Sequence, residues 1–273
     1  PQRVPAAVFT QYREVIAKCG WDLAANLDNP PRESFRARVE AHAKLPLSFQ
    51  PGTDWEYHVG YPVIGVIIEQ VTGQTLEEFY QERIFQPLGM KDTSFYLDES
   101  KLERFSACYQ TQYQDKGWCI RVHDRAESSE KLKGPKVYFA AGGDMGGILS
   151  TAADYARFAQ MLLNNGELDG VRLLGRKSVE LMTANHTGNI YIPMTGRGFG
   201  FGLGVGVYLG GSGRPIMRSP GTYGWGGAAG TIFFVDPKEK LTAICFTQVL
   251  NHGMLPGNTY QEDFEKLVYQ ALI

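Results

Sequence analysis

The residues with chemistry to offer are few. The five histidines (His42, His58, His123, His186 and His252) are scattered. None forms an i, i+4 pair, so no helix face presents the two imidazoles of a zinc site. No Gly-x-Ser-x-Gly elbow occurs, which argues against an α/β-hydrolase nucleophile. No dinucleotide fingerprint follows a strand, and no phosphate loop with Gly-Lys-Ser/Thr is present. A single Ser-x-x-Lys exists, Ser128-Ser129-Glu130-Lys131, in a polar stretch where no buried helix is expected, and it reads as chance. The sequence also holds phenols, Tyr57 behind the Pro51-Gly52 loop among them, and glycine runs such as Trp225-Gly226-Gly227-Ala228, whose bare backbone lets another group lie close; residue type alone assigns chemistry to neither. By residue type alone, Tyr57 in Trp55-Glu56-Tyr57 reads as amphipathic packing, and Trp225 as core. No cofactor and no metal are implied.

The elements that must position these residues are legible. Val8–Cys19 and Ser34–Ala43 have helical spacing, separated by a turn around Asn29-Pro30-Pro31. Phe49-Gln50-Pro51-Gly52-Thr53 is a loop. Pro62 through Val71 is an apolar helix, with proline in its first turn and Gly73 past its end. Thr75 with Glu78 is a capping box opening a second helix, Leu76–Ile84. Residues 98–137 read as polar and irregular. Glycines cluster at Gly142, Gly143, Gly146 and Gly147. Thr151 with Asp154 opens an amphipathic helix to about Leu163, stopped at Asn164-Asn165-Gly166, and Asp169-Gly170 is a tight turn.

The last third changes period. Phe199, Phe201, Leu203, Val205 and Val207 alternate with glycines, the period-two signature of a strand with something packed closely on its glycine face. Gly230–Val235, the turn Asp236-Pro237-Lys238-Glu239, and Leu241–Gln248 form a hairpin, and Gln261–Leu272 is a closing helix. The expected class is α+β, without βαβ alternation. The expected division is a mainly helical lobe, 1–190, with an irregular insert at 98–137, and an antiparallel sheet with the C-terminal helix, 191–273.

Bulk properties narrow the function. The chain has 273 residues, 43% hydrophobic, enough for a sizeable core. A net charge of −2 offers no footprint for nucleic acid. No apolar run reaches the roughly 18–20 residues of a membrane span. Cys19, Cys108, Cys119 and Cys245 read as reduced structural thiols, favouring the cytoplasm, with a Cys108–Cys119 bridge as the alternative. The expected partner is a small ester or amide substrate.

Three segments stand in a telling order. The first runs from Phe49 through Trp55-Glu56-Tyr57-His58-Val59-Gly60-Tyr61 to Pro87-Leu88-Gly89-Met90. The second is Gly142-Gly143 through Leu149-Ser150-Thr151-Ala152-Ala153-Asp154-Tyr155. The third is Gly221-Thr222-Tyr223-Gly224-Trp225-Gly226-Gly227-Ala228-Ala229-Gly230-Thr231, then Val235-Asp236-Pro237. This succession resembles the serine beta-lactamase-like family, in particular class C beta-lactamases and EstB-like family VIII carboxylesterases, over about Leu45 to Ile273. The resemblance implies a beta-lactamase/transpeptidase-like fold, an antiparallel sheet flanked by helices plus a mainly helical lobe. It implies a site of three motifs: an upstream Ser-x-x-Lys, a tyrosine acting as base and acid, and a third motif on the sheet's edge strand. On that basis Tyr57 is the catalytic tyrosine and the Ala228 N–H an oxyanion donor. Val59, Trp225, Gly226 and Gly227 are then substrate-binding. A phenol with a pKa of about 10 needs a nearby ammonium to act as a base. Val59 and Trp225 replace the asparagine and lysine of the lactamases, which favours esters over beta-lactams, since indole cannot pair with a carboxylate.

Only 56 residues precede Tyr57, and none forms Ser-x-x-Lys. The expectation is therefore a chain lacking the N-terminal segment with the nucleophile and the first sheet strands, an N-terminal fragment of the same protein being its implied companion. Three functional readings follow: an acyl-enzyme esterase; the same machinery on beta-lactams or D-amino-acid peptides, or in acyl transfer; and a non-catalytic binding or scaffold relative.

Overall fold

The computed structural model describes residues 10, 35–57, 60–114, 117–125, 127, 148–213 and 215–272. Apart from residue 10, the expected helix at Val8–Cys19 lies outside the described residues, as do the Ser128–Lys131 motif and the 142–147 glycine cluster. The described residues belong to two compact units.

The first unit draws on Pro1–Phe85, Asp92–Glu99 and Glu130–Ser150. Helix α1 is Phe35–His42 and α2 is Gly60–Thr72. Pro62 sits where its missing N–H costs nothing. Gly73, at φ +71°, ends α2 and donates its N–H to Glu69 O at 2.9 Å. Helix α3, Leu76–Tyr80, begins in the expected capping box: Glu78 N–H donates to Thr75 Oγ1 (3.2 Å) and Thr75 N–H to Glu78 Oε2 (2.8 Å). The helical run passes the expected end at Ile84, but over Gln81–Phe85 it widens into a π-helix. The buried Glu77 ties α3 down, accepting from Phe95 N–H and Gln81 Nε2, both at 2.8 Å. Leu76 and Phe95 form the local core, with Val66, Ile68, Tyr80 and Tyr96 against them.

The second unit draws on Gln86–Lys91, Ser100–Ser129 and Thr151–Ile273. Strands β1 (Cys108–Gln114) and β2 (Gly117–Asp124) form an antiparallel hairpin. This part of 98–137, expected to be irregular, is regular because its strands pair with each other residue by residue, from Cys108↔Asp124 to Gln114↔Gly117. Cys119 faces Gln112 across the ladder, not Cys108, and Cys108, Cys119 and Cys245 are all free thiols. The bridging alternative therefore fails for Cys108 and Cys119. Helix α4, Ala152–Leu163, starts with the Thr151 side chain accepting Asp154 N–H at 3.1 Å. Strands β3 (Glu167–Leu168) and β4 (Val171–Arg172) are joined through Asp169 and Gly170, at φ +51° and +80°, the pattern of a two-residue hairpin turn. Helix α5 is Arg176–Met182.

The main sheet is a five-stranded antiparallel meander in chain order: β5 (Phe199–Phe201), β6 (Gly206–Tyr208), β7 (Tyr223–Gly226), β8 (Ile232–Asp236) and β9 (Leu241–Cys245). The glycine-alternating run, expected as one strand, is a hairpin. Gly202 N–H bonds Val205 O at 2.8 Å and Gly204 takes φ +103°, so the chain folds back between β5 and β6. The close approach on its glycines is real: a Cβ on Gly206 would stand 3.2 Å from the Trp225 ring. Strand β10 (Val249–Leu250) pairs in parallel with β1, and helix α6 is Tyr260–Gln270.

Strand side chains alternate faces, and β8 uses both. Phe233 meets Tyr155 of α4 edge-on at 5.0 Å. Phe234 stacks on Tyr269 of α6 at 5.7 Å. The sheet is thus covered by a helix on each side. Burial pushes the Tyr155 phenol up to about 12, which suits an apolar contact and not a titrating group. Among the described residues no helix is long and apolar enough to cross a membrane.

Candidate active site

In the second unit, the Trp225–Ala228 candidate segment begins on β7. Gly224 faces Phe234 across the ladder, and a Cβ there would lie 2.8 Å from the Phe234 Cα, so a side chain would push β7 off β8. Trp225 packs edge-on against Phe201 at 5.1 Å, with Gly206 opening the space for its ring. The third motif was expected on an edge strand, yet β7 is the central strand of five. Its pairing with β6 stops at Gly206↔Gly224, because the chain before Gly206 turns away. Over Trp225–Gly226, among the described residues, β8 is its only strand neighbour. A central strand is thereby locally an edge.

From Gly226 the chain enters the β7–β8 turn. Gly227 N–H donates to Thr231 O (2.8 Å) and Gly230 N–H to Gly227 O (2.9 Å), with Gly230 at φ +86°. This is a three-residue hairpin loop closed by a left-handed glycine. Its own hydrogen bonds leave the Ala228 N–H uncommitted. Gly226, Gly227 and Ala228 are exposed, while Gly230 is buried. An exposed amide N–H on a rigid turn is a fixed partial positive charge, suited to an oxyanion.

Tyr57 belongs to the first unit. The turn Gln50-Pro51-Gly52-Thr53 closes with Thr53 N–H on Gln50 O at 3.0 Å and Gly52 at φ +83°, as a type II turn requires. Residues 54–57 follow without regular secondary structure. The Tyr57 ring lies 6.2 Å from that of Trp55. Tyr61, the second residue of α2, has its phenol pushed up, first by burial and second by the charge of Tyr57. Val59 lies outside the described residues.

Sequence reasoning missed the groups that hold the turn. Ala229 O accepts from Thr247 Oγ1 (2.8 Å) and Val249 N–H (2.9 Å), and Gly230 O accepts from the Tyr260 hydroxyl. Nothing local signals them, since they follow the turn by about 20 to 30 residues. Phe201 was within reach, because the glycine alternation already marked its partner face. Among the described residues, no three His, Cys, Asp or Glu side chains converge as a metal would need.

An antiparallel sheet covered by helices, with a glycine-rich strand running into an open turn, is the beta-lactamase/transpeptidase-like α+β class. The chain belongs to the Beta-lactamase family, whose model matches residues 19–263. It is 35% identical over 257 residues to Protein Rv1367c of Mycobacterium tuberculosis, covering 86% of this chain and 62% of that protein. It is 32% identical over 247 residues to the lovastatin esterase of Penicillium rubens, covering 81% of this chain and 56% of the esterase. Among solved structures, EstCE1, "a hydrolase with promiscuous acyltransferase activity", superposes with a TM-score of 0.69 at 20% identity, over 94% of this chain and 71% of that one. The chain thus spans about 60% of the length of these curated relatives.

Proposed function

We propose that this chain is the larger part of a serine hydrolase that cleaves small carboxylic esters through an acyl-enzyme. The observation that carries this reading is the exposed Ala228 on the β7–β8 turn, whose N–H makes no hydrogen bond among the described residues. The serine comes from a segment outside this chain. Its Oγ attacks the ester carbonyl while Tyr57, working with the lysine of the same upstream segment, takes the serine proton. The Ala228 N–H holds the oxyanion. Collapse expels the alkoxide, which takes the proton from Tyr57, and water then repeats the sequence to release the acid. The family match and the esterase among the relatives support the reaction class. The relatives' greater length supports a further segment. So does helix α2, whose Ile64, Ile67 and Val71 stand exposed at i, i+3 and i+7. Trp225, packed on Phe201, offers an apolar wall and no cation, which favours an ester over a carboxylate-bearing beta-lactam.

The test is a fluorophosphonate probe on the full-length protein, read by intact mass and peptide mapping. A single adduct on a serine of a Ser-x-x-Lys upstream of Pro1, with labelling slowed at least about 100-fold in Tyr57→Phe, is expected. An adduct on Ser128 overturns the upstream nucleophile and moves it into this chain, whereas no adduct overturns the reading and leaves the non-catalytic one.

A further inference from the structure

The turn that presents Ala228 is gripped through its carbonyls, and the grip reaches the donor through two rigid peptide planes. An amide's C=O and N–H share one plane and cannot move independently. The Ala228 N–H shares its plane with Gly227 O. Gly227 O is fixed by Gly230 N–H at 2.9 Å. The Gly230 N–H shares its plane with Ala229 O, which Thr247 Oγ1 and Val249 N–H hold at 2.8 and 2.9 Å. The next carbonyl, Gly230 O, is held by the Tyr260 hydroxyl. Tyr260 is itself braced: Gln261 Nε2 donates to its hydroxyl at 3.0 Å, and the His252 ring packs edge-on at 5.2 Å. His252 is in turn tied to Asn258, whose Nδ2 bonds His252 O at 2.7 Å. Gly230 is enclosed by the same groups: a Cβ there would lie 2.5 Å from the Tyr260 hydroxyl and 3.2 Å from the His252 ring.

We propose that Thr247, seconded by Tyr260 at the start of α6, is a positioning residue that aims the Ala228 N–H at the developing oxyanion. The inference rests on the proposed acyl-enzyme reading. A donor aimed in advance is worth most where charge develops, in the transition state, and little in ground-state binding. Gripping the turn from outside through its carbonyls also keeps the Ala228 N–H available.

The experiment uses the full-length protein with Thr247→Val, Thr247→Ser and Tyr260→Phe. On a small ester, Thr247→Val is expected to lower kcat by about tenfold with KM within about twofold, a fraction of the 10²–10³ lost when an oxyanion donor is removed. Affinity for a boronic acid, whose serine adduct is tetrahedral, falls in parallel. Thr247→Ser, which keeps the hydroxyl, restores both, and Tyr260→Phe gives a smaller loss of the same kind. Unchanged kcat, or a loss that Thr247→Ser fails to rescue, overturns the positioning role and leaves a packing contact. Amide exchange of Gly230 in the same variants needs no activity. Faster exchange in Thr247→Val is expected, and unchanged exchange overturns the grip itself even if the esterase reading fails.

Discussion

Strand β8 has a turn at each end, and the two turns use their backbone in opposite ways. At the far end, Pro237–Lys240 closes around a buried carboxylate. Asp236 Oδ1 accepts Lys238 and Glu239 N–H at 3.1 and 3.2 Å, and Oδ2 accepts Ser219 N–H at 3.0 Å and the Tyr269 hydroxyl at 2.7 Å. The donors of that turn are consumed by the protein. At the near end, Gly227–Gly230 is held by its carbonyls, and the Ala228 N–H stays uncommitted. Both turns are ordered, but only the second has anything left to offer a ligand. Rigidity by itself therefore does not mark a site. What marks it is which half of the peptide group the scaffold has used.

The sharpest way to break this contrast is to remove the unspent donor. Ala228→Pro deletes that N–H, and a preceding glycine tolerates proline. The expected result in the full-length protein is a kcat loss of about 10²–10³ with the unfolding midpoint nearly unchanged. Retained esterase activity would mean that the open turn is not the oxyanion site. At the other end the same logic predicts the reverse. Asp236→Ala strands a buried tyrosine hydroxyl and three backbone donors, and should cost about 3 kcal/mol in denaturant unfolding, with kcat per folded molecule unchanged. A fall in kcat without a fall in stability would erase the distinction between the two ends.

Smaller effects refine it. Tyr269→Phe removes one donor from Asp236 and should cost about 1 kcal/mol. The pH dependence follows from the same carboxyl. Burial pushes the Asp236 pKa up, but hydrogen bonds from Tyr269, Ser219, Glu239 and Thr222 outweigh burial and hold it below the usual carboxylate range. A carboxyl depressed by folding stabilises fully above its unfolded pKa of about 3.9. That contribution is lost as pH falls through the lower folded value. Asp236→Asn should therefore flatten the acid limb of the stability curve below about pH 4, while leaving the neutral region parallel to wild type. An unchanged acid limb would place the depressed carboxyl elsewhere.

The sequence by itself determined the features whose partners lie within a few residues. Thr75 with Glu78, Thr151 with Asp154, Gly73 after α2 and Asp169-Gly170 all behave as their local chemistry requires, because each hydrogen bond closes over two to four residues. The motif order carried the family. Where the partner is distant, the sequence was silent or ambiguous. The alternating glycines at 199–207 suit one strand or a hairpin equally well, and the fold-back at Gly202–Val205 decides between them. The run at 108–124 became regular through cross-strand pairing, and β1 found a further neighbour in β10, with Tyr109 opposite Val249. The grip of Thr247 and Tyr260 on the Ala228 turn is of this second kind. A threonine hydroxyl bonds whichever carbonyl the fold brings within about 3 Å, and only the tertiary structure decides which one that is.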